Sequence, residues 1–402
     1  MALAHLACTR VDTIEVNGRL YGVPRDRTAV VCLDGVDPRY LEDAFARGLT
    51  PRLAELAYLE ARSQVPSFTN PNNLSIVTGL PPAGHGLPGN HYLDASGEEV
   101  QLDRPELLRA PSIHAVLAAA GVPVLAVTTK EKLRRLLAAG GVPCVSAENA
   151  DVQSLDGVDG PVAGLVEQPK PGIYDWDCSH YALELGLALA ERLGTQLLYV
   201  SLTDFVQHAD PPGGALSDRY LVKLDELVGA YLDAGWRLAL VADHGMNAKS
   251  EVVYLGDALD RAGVDAHVIL PITDPYVVHH AALGSACWVH VAGDDLDPAR
   301  DLIAEQPGVE EVLGRGEASE QLSLPADRIG DLVVLADART ALGRRRSEHD
   351  LSALQGSLRS HGGRHEQPVP ILLSEQPDVA GKELLRAGAT NADVHALLLG
   401  SA

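Results

Sequence analysis

The chain has few aromatic and few basic residues. Phe, Trp and Tyr make up 4% of its 402 residues, so Leu, Val and Ala must fill the core that a 46% hydrophobic content allows. Lys and Arg number 32 against 55 Asp and Glu, for a formal net charge of −23. This balance excludes nucleic acid as an expected partner, because phosphate contacts need clustered cations. It does not exclude a small anionic substrate, since a metal or a few lysines reverse the sign locally. The five cysteines (Cys8, Cys32, Cys144, Cys178, Cys287) are odd in number, far apart and without C-x-x-C spacing. Neither a zinc ribbon nor a disulfide framework is indicated, and Cys32 reads as a core thiol. No apolar run approaches the roughly 20 residues of a membrane-spanning helix, and the first ten residues lack a basic and an apolar signal region. The expectation is a soluble, cytoplasmic protein with no membrane partner. The sequence leaves the oligomeric state open, and a homodimer is compatible with it.

What is present is a set of short apolar runs that each break off at a carboxylate. They are Thr28 to Asp34, Leu197 to Asp204 and Leu238 to Asp243-His244. Such runs read as buried parallel strands. Ligands in an open α/β sheet bind at the carboxyl ends of the strands, and three aspartates gathered there repel each other unless cations hold them. His208, four residues after Asp204, and His244, directly after Asp243, add the nitrogen donors of a catalytic zinc site. Asp34 alone reads equally as a turn residue, and Asp204-x-x-x-His208 alone is weak; together the three strand ends point to metal-dependent hydrolysis, with two metals.

Around these strands the chain reads as an α/β fold. A hairpin over 11–25 turns at Asn17-Gly18. An amphipathic stretch runs from about Pro38 to Ala61, and a helix begins near Thr69 and closes at Gly79. Residues 84–91 read as a loop, residues 111–150 as helix, strand, helix, strand, and 176–193 as a long helix. From 252 to 350 the pattern changes to short strands and helices, an α+β insertion of about 100 residues. The run Arg344-Arg345-Arg346 reads as an exposed return linker, and Pro370 to Leu373 as a further buried strand. Thr69 at a helix start is a bland cap or, in the same geometry, a nucleophile whose alkoxide the helix N-terminus favours. His361, followed by Gly362-Gly363, is preferred to His365 as a last metal ligand because glycines let the backbone approach a crowded site. His85, His91, His279 and His280 read as surface or satisfied core residues.

The combined motifs Leu33-Asp34-Gly35, Pro66-Ser-Phe-Thr69-Asn70, Thr203-Asp204-x-x-x-His208, Ala242-Asp243-His244-Gly245-Met246 and Ser360-His361-Gly362-Gly363 resemble the alkaline phosphatase superfamily. Within it the chain is similar to the nucleotide pyrophosphatase/phosphodiesterase-like branch, over nearly its whole length. The segments around Asn90, Lys130-x-Lys132 and Pro325 to Leu332 narrow the likeness to members that cleave a carbon–phosphorus bond. The resemblance implies an alkaline-phosphatase-like core, 1–251 and 351–402, with a mostly parallel central sheet flanked by helices, and a smaller α+β cap, 252–350, that excludes water and limits substrate size. It implies two Zn²⁺, one held by Asp204, His208 and His361, the other by Asp34, Asp243, His244 and the Thr69 oxygen. The implied reaction is hydrolysis of phosphonoacetate to acetate and phosphate through a phospho-threonine on Thr69. Asn90 would bind a phosphonyl oxygen, and Lys130, Lys132 and Lys223 would stabilise the leaving carbanion, although each lysine also reads as a solvated helix-face residue. Arg364 and His365 add positive charge after the glycines, which suggests an altered anion preference.

The competing reading is a zinc-dependent phosphodiesterase or nucleotide pyrophosphatase with the same machinery. It needs room and aromatic stacking for a nucleoside, and beside Thr69 the sequence offers only Phe68. A cofactor-independent phosphoglycerate mutase fits less well, since serine is expected at the nucleophile position. A non-catalytic metal-binding protein would not need all seven ligand positions filled.

Overall fold

The computed structural model describes residues 12–276, 278, 280–352, 354 and 356–400. Its centre is a seven-stranded sheet in the order Ala57–Arg62, Pro368–Leu373, Arg237–Val241, Thr28–Cys32, Leu197–Ser201, Val124–Thr128, Cys144–Ser146. The last five of these run parallel, and Pro368–Leu373 is antiparallel to both its neighbours. The parallel strands carry Val, Leu and Ala on both faces because helices cover both faces, and they lie fully buried in the largest apolar cluster. Cys178–Leu193 and Ala215–Asp233 are the long helices. The opening hairpin pairs Thr13–Val16 with Arg19–Gly22. Asn17 and Gly18 take φ of 52° and 80°, the left-handed pair that a two-residue turn between twisted strands requires.

The register decides where the chemistry sits. Cys32 lies opposite Val241 on one side and Ser201 on the other. Asp34 and Asp243 each follow their strand's last residue by two positions and Asp204 by three. Adjacent strands run about 4.8 Å apart, so three carboxylates emerge side by side at one sheet edge.

Most of the elements read from the sequence are present at about the expected positions. One strand differs. The end of the stretch read as amphipathic, Ala57–Arg62, is an edge strand. Only Ala61 in it is buried, so the alternation that would mark a strand is missing.

The chain between the strands Arg237–Val241 and Pro368–Leu373 forms a second, antiparallel sheet ordered Ala266–Ile269, Ala286–Val291, Leu332–Ala336, Val309–Gly314. The strand Val309–Gly314 and the helices Leu255–Ala262 and Arg315–Leu322 are additional to the segments expected there. One face packs under Leu255–Ala262 and Leu296–Ala304. The other gathers Trp288, Val333 and Leu335 around Val65 and Phe68, the residues leading into the helix Thr69–Thr78. Glu251–Tyr254 and Thr340–Gly343 pair in parallel at the base of this segment. The arginine run follows at once, and two of its three side chains are paired: Arg344 bonds Glu99 at 2.9 Å and Arg345 bonds Asp260 at 2.9 Å.

Leu240 sits fully buried in the strand Arg237–Val241. Leu240→Ala should lower unfolding free energy in urea by about 2–5 kcal/mol through lost transfer energy and the cavity left behind.

Candidate active site

Two triads of metal-ligating side chains face each other at the sheet edge: Asp204, His208 and His361, and Asp34, Asp243 and His244, all buried. The first is built locally by the short helix Phe205–Ala209, which brings His208 one turn past Asp204, with Nε2 2.9 Å from Oδ2. His361 reaches the same carboxylate from the far end of the chain, 3.6 Å away. In the second, His244 Nε2 lies 3.3 Å from Asp34 Oδ1 and 3.7 Å from Asp243 Oδ2. The two triads touch through His244 and His361, whose rings stack at 3.6 Å and 6°.

Outer contacts orient all three histidines the same way. Nδ1 of His208 donates to Arg359 O at 2.6 Å, that of His244 to Gly245 O at 3.0 Å and that of His361 to Ser67 O at 2.8 Å. Each Nε2 is thereby the nitrogen that faces the centre, the one a metal would take in place of a proton. Asp243 is held by the Gly35 amide at 3.2 Å and by Asn73 Nδ2 at 3.2 Å. Asp34 Oδ2 is buried with no hydrogen-bond partner. An orphaned carboxylate oxygen beside five other ligand side chains fits divalent cations and little else.

Thr69 is the first residue of its helix, and Phe68 holds the cap position. Its hydroxyl is therefore turned inward: Oγ1 lies 3.2 Å from His244 Nε2 and 3.5 Å from Asp34 Oδ1. Above it is a small cavity lined by Phe68, Thr69, Asn90, Lys130, Asp204, Ile272, Asp274, His280 and His361. Lys130 Nζ donates to Asp204 Oδ1 at 3.2 Å and lies 3.9 Å from Asp34 Oδ2. Burial alone would lower its pKa, but Asp204 and Asp34 outweigh that and hold it charged. Asn90 accepts from Asn70 at 2.8 Å and donates to Ile272 O at 3.1 Å. Lys132 is buried nearby, its Nζ without a hydrogen-bond partner and outside the cavity lining; burial lowers its pKa to about 8.

Several expectations change here. Lys223 is not at the site. It lies on the outer face of Ala215–Asp233 and pairs with Glu226 at 3.2 Å, because its buried neighbours Leu221 and Leu224 take the inward face. Arg364 and His365 bind Glu311 and Glu310, at 2.6 Å and 2.7 Å, on the strand Val309–Gly314, so they add no charge to the cavity. His280 is a buried wall residue of the cavity, where a surface or core role was expected; His279 lies outside the described residues. Asp274, 3.7 Å from His280, was not anticipated at all. Nothing in Ile272-Thr-Asp-Pro275 distinguishes it locally from an ordinary turn.

Fold and site together define a hydrolase acting on phosphorus compounds. The chain belongs to the type I phosphodiesterase/nucleotide pyrophosphatase family, whose model matches residues 28–366. Structures of phosphonoacetate hydrolase from Sinorhizobium meliloti 1021, in complex with phosphonoacetate and with phosphonoformate, superpose with a TM-score of 0.87 at 39% identity, covering 95% of this chain and 97% of that one. Murine ectonucleotide pyrophosphatase/phosphodiesterase 5 shares the fold, with a TM-score of 0.63 at 16% identity over 93% of this chain and 94% of that one. Among curated sequences, an uncharacterized pyrophosphatase/phosphodiesterase of Schizosaccharomyces pombe, C725.05c, is 25% identical over 66% of this chain and 55% of its own length. Mouse ectonucleotide pyrophosphatase/phosphodiesterase family member 1 is 28% identical over 63% of this chain and 27% of its own length. This chain thus spans about half, or about a quarter, of those two relatives.

The metal-free site has its own pH signature. Burial, then repulsion from Asp204 and Asp243, pushes the Asp34 carboxyl up to about 8. Burial alone would lower His244, but Asp243 and Asp34 outweigh it and raise the imidazole to about 9. Both groups keep a proton when folded that the unfolded chain releases, near pH 4 and pH 6.5 respectively. Burial lowers His208 and His361, which are therefore neutral in both states above about pH 6.5 and drop out of that range. In chelator, unfolding free energy from urea titrations should fall as pH rises from about 6.5 to 8, and divalent metal should abolish that slope by displacing the protons. Lys223→Ala should leave turnover within about twofold of wild type, as expected of a surface ion pair; a larger loss would return Lys223 to the mechanism.

Proposed function

We propose that this protein hydrolyses the carbon–phosphorus bond of phosphonoacetate, using two Zn²⁺ and Thr69 as nucleophile. The observation that carries the reading is the cavity itself. Seven of its nine lining side chains are polar or charged, Phe68 and Ile272 being the exceptions, which suits a small anion rather than an apolar ligand. It also places a charged lysine beside the Thr69 hydroxyl. Of its lining residues, Phe68 alone has a hydrocarbon ring, and that ring packs edge-on against His361, so it offers no shelf for a base. The similarity to phosphonoacetate hydrolase over nearly the whole chain supports the same substrate. In this reading residues 252–350 form a cap whose Ile272, Asp274 and His280 close the cavity against water.

The metals, when bound, supply positive charge that makes the Thr69 hydroxyl ionisable and offsets charge on phosphorus. The Thr69 oxygen attacks phosphorus and the C–P bond breaks. The bond's electron pair moves to the methylene carbon, where the neighbouring carboxylate delocalises it as an enediolate. Lys130 stands beside that developing charge, and Lys132 adds positive potential from behind the wall. The second N–H of Asn90 Nδ2, free of the bond to Ile272 O, is available to a phosphonyl oxygen. Protonation at carbon yields acetate, and water then releases phosphate from the phospho-threonine and restores Thr69.

The family match favours a second reading, phosphodiester hydrolysis, and one assay separates the two. Zinc-loaded protein should release phosphate from phosphonoacetate and lose that activity in chelator, while a nitrophenyl phosphodiester is a poor substrate. Turnover of the diester alone would place the protein with the phosphodiesterases. Thr69→Ala should lower phosphonoacetate turnover by about 10³-fold or more, with metal content by elemental analysis retained; full activity would remove Thr69 as nucleophile.

A further inference from the structure

Beneath the two triads lies a fully buried ion pair that takes no part in the reaction above. Lys249 Nζ and Glu366 Oε1 are 2.9 Å apart, and both side chains are 0% exposed. A buried pair gives up the hydration of two charges, so it is weak evidence for stability and invites a different explanation. The contacts of Glu366 supply one. Its Oε1 also accepts from Asn247 Nδ2 at 2.7 Å, and its Oε2 accepts from the Gly363 amide at 3.0 Å. Its main-chain carbonyl accepts from the Gly245 amide at 2.7 Å. One residue therefore grips two separate loops. Gly245 directly follows His244, and Gly363 lies two residues after His361.

Those histidines belong to different triads, and their rings are in contact. Any shift of the 243–249 segment against the 361–363 segment changes the distance between the two metal groups. Lys249 extends the grip to a third element, donating to Ala338 O at 3.0 Å in the turn after the strand Leu332–Ala336. Glu366 lines no part of the cavity and touches no member of either triad. We infer that Glu366, with Lys249 as its counter-ion, is a positioning residue that sets the spacing of the two metal sites by tying the His244 loop to the His361 loop.

The spacing matters because an in-line displacement at phosphorus is clamped from both sides by metals roughly 3.5–4 Å apart. A misplacement of about 1 Å costs on the order of 10²-fold in rate. Glu366→Gln keeps the shape of the side chain. It replaces one acceptor oxygen with an amide donor, which one of the three donors must then face, and it leaves the Lys249 ammonium unpaired.

The inference rests on the two-metal reading, so the test must separate the two. The intact protein is loaded with Mn²⁺, and metal content and electron paramagnetic resonance are measured beside kcat and KM for phosphonoacetate. Wild type should hold two Mn²⁺ with an exchange-coupled signal; a single uncoupled ion in wild type would sink the two-metal reading itself. Glu366→Gln should weaken or abolish the coupling and lower kcat by about 10²-fold, with KM changed much less. If coupling and stoichiometry stay as in wild type, the inference fails, whatever happens to thermal stability. Should the orphaned lysine unfold the single variant, Lys249→Met with Glu366→Gln removes that charge and is read in the same way. Failure of both variants to fold would make the pair a folding element and would equally overturn the inference.

Discussion

Three aspartates at the ends of three adjacent strands dominate this molecule. Parallel pairing with matched register leaves Asp34, Asp204 and Asp243 no choice but to emerge together. They emerge into a space with little solvent, where the repulsion between them is poorly screened. The neighbouring groups compensate in distinct ways. Lys130 bonds one carboxylate and approaches another. Amides of Gly35 and His244 and the side chain of Asn73 grip Asp243. The histidines turn their Nε2 atoms inward through bonds to backbone carbonyls. A site that holds Asp34 uncomfortably on its own is one that a bound cation would relieve.

The second sheet packs against the start of the helix Thr69–Thr78, and the segment joining two of its strands walls the cavity. Phe68 belongs to the apolar cluster of that sheet and directly precedes Thr69, so packing in the sheet bears on the start of the helix that carries Thr69. The same ring meets the place where a side chain at Gly362 would be, and Gly362 has φ of 125°. Glycine there allows the His361 loop to run close under Phe68. The wall opposite is made by Ile272, Asp274 and His280. Tyr276 fastens that segment by donating to Glu148 at 2.6 Å. Enclosure strengthens every charge inside.

The surface charges tell a different story from the buried ones. Lys223, Arg364, His365, Arg344 and Arg345 all carry positive charge that a scan of the sequence could assign to an anion site. Each has a carboxylate partner elsewhere: Glu226, Glu311, Glu310, and Glu99 or Asp260. In a chain with 55 acidic residues, an exposed cation finds such a partner easily. Lys130 and Lys132 differ because burial separates them from that acidic surface and leaves them to the interior.

The sequence by itself determined the sheet edge where the candidate metal ligands gather. Apolar runs ending in Asp34, Asp204 and Asp243, the His208 and His244 spacings, Thr69 at a helix start and the glycines after His361 are local patterns. Local patterns survive because strand period, helix turn and backbone freedom act over a few residues. Tertiary structure alone decided what stands opposite. Asp274 and His280 on the cavity wall, the edge strand Ala57–Arg62, the outward turn of Lys223 and the Glu366 bridge all depend on contacts between segments remote in the chain. The charge of a side chain is written in the sequence; whether it faces a metal, a partner or water depends on which distant segment packs against it.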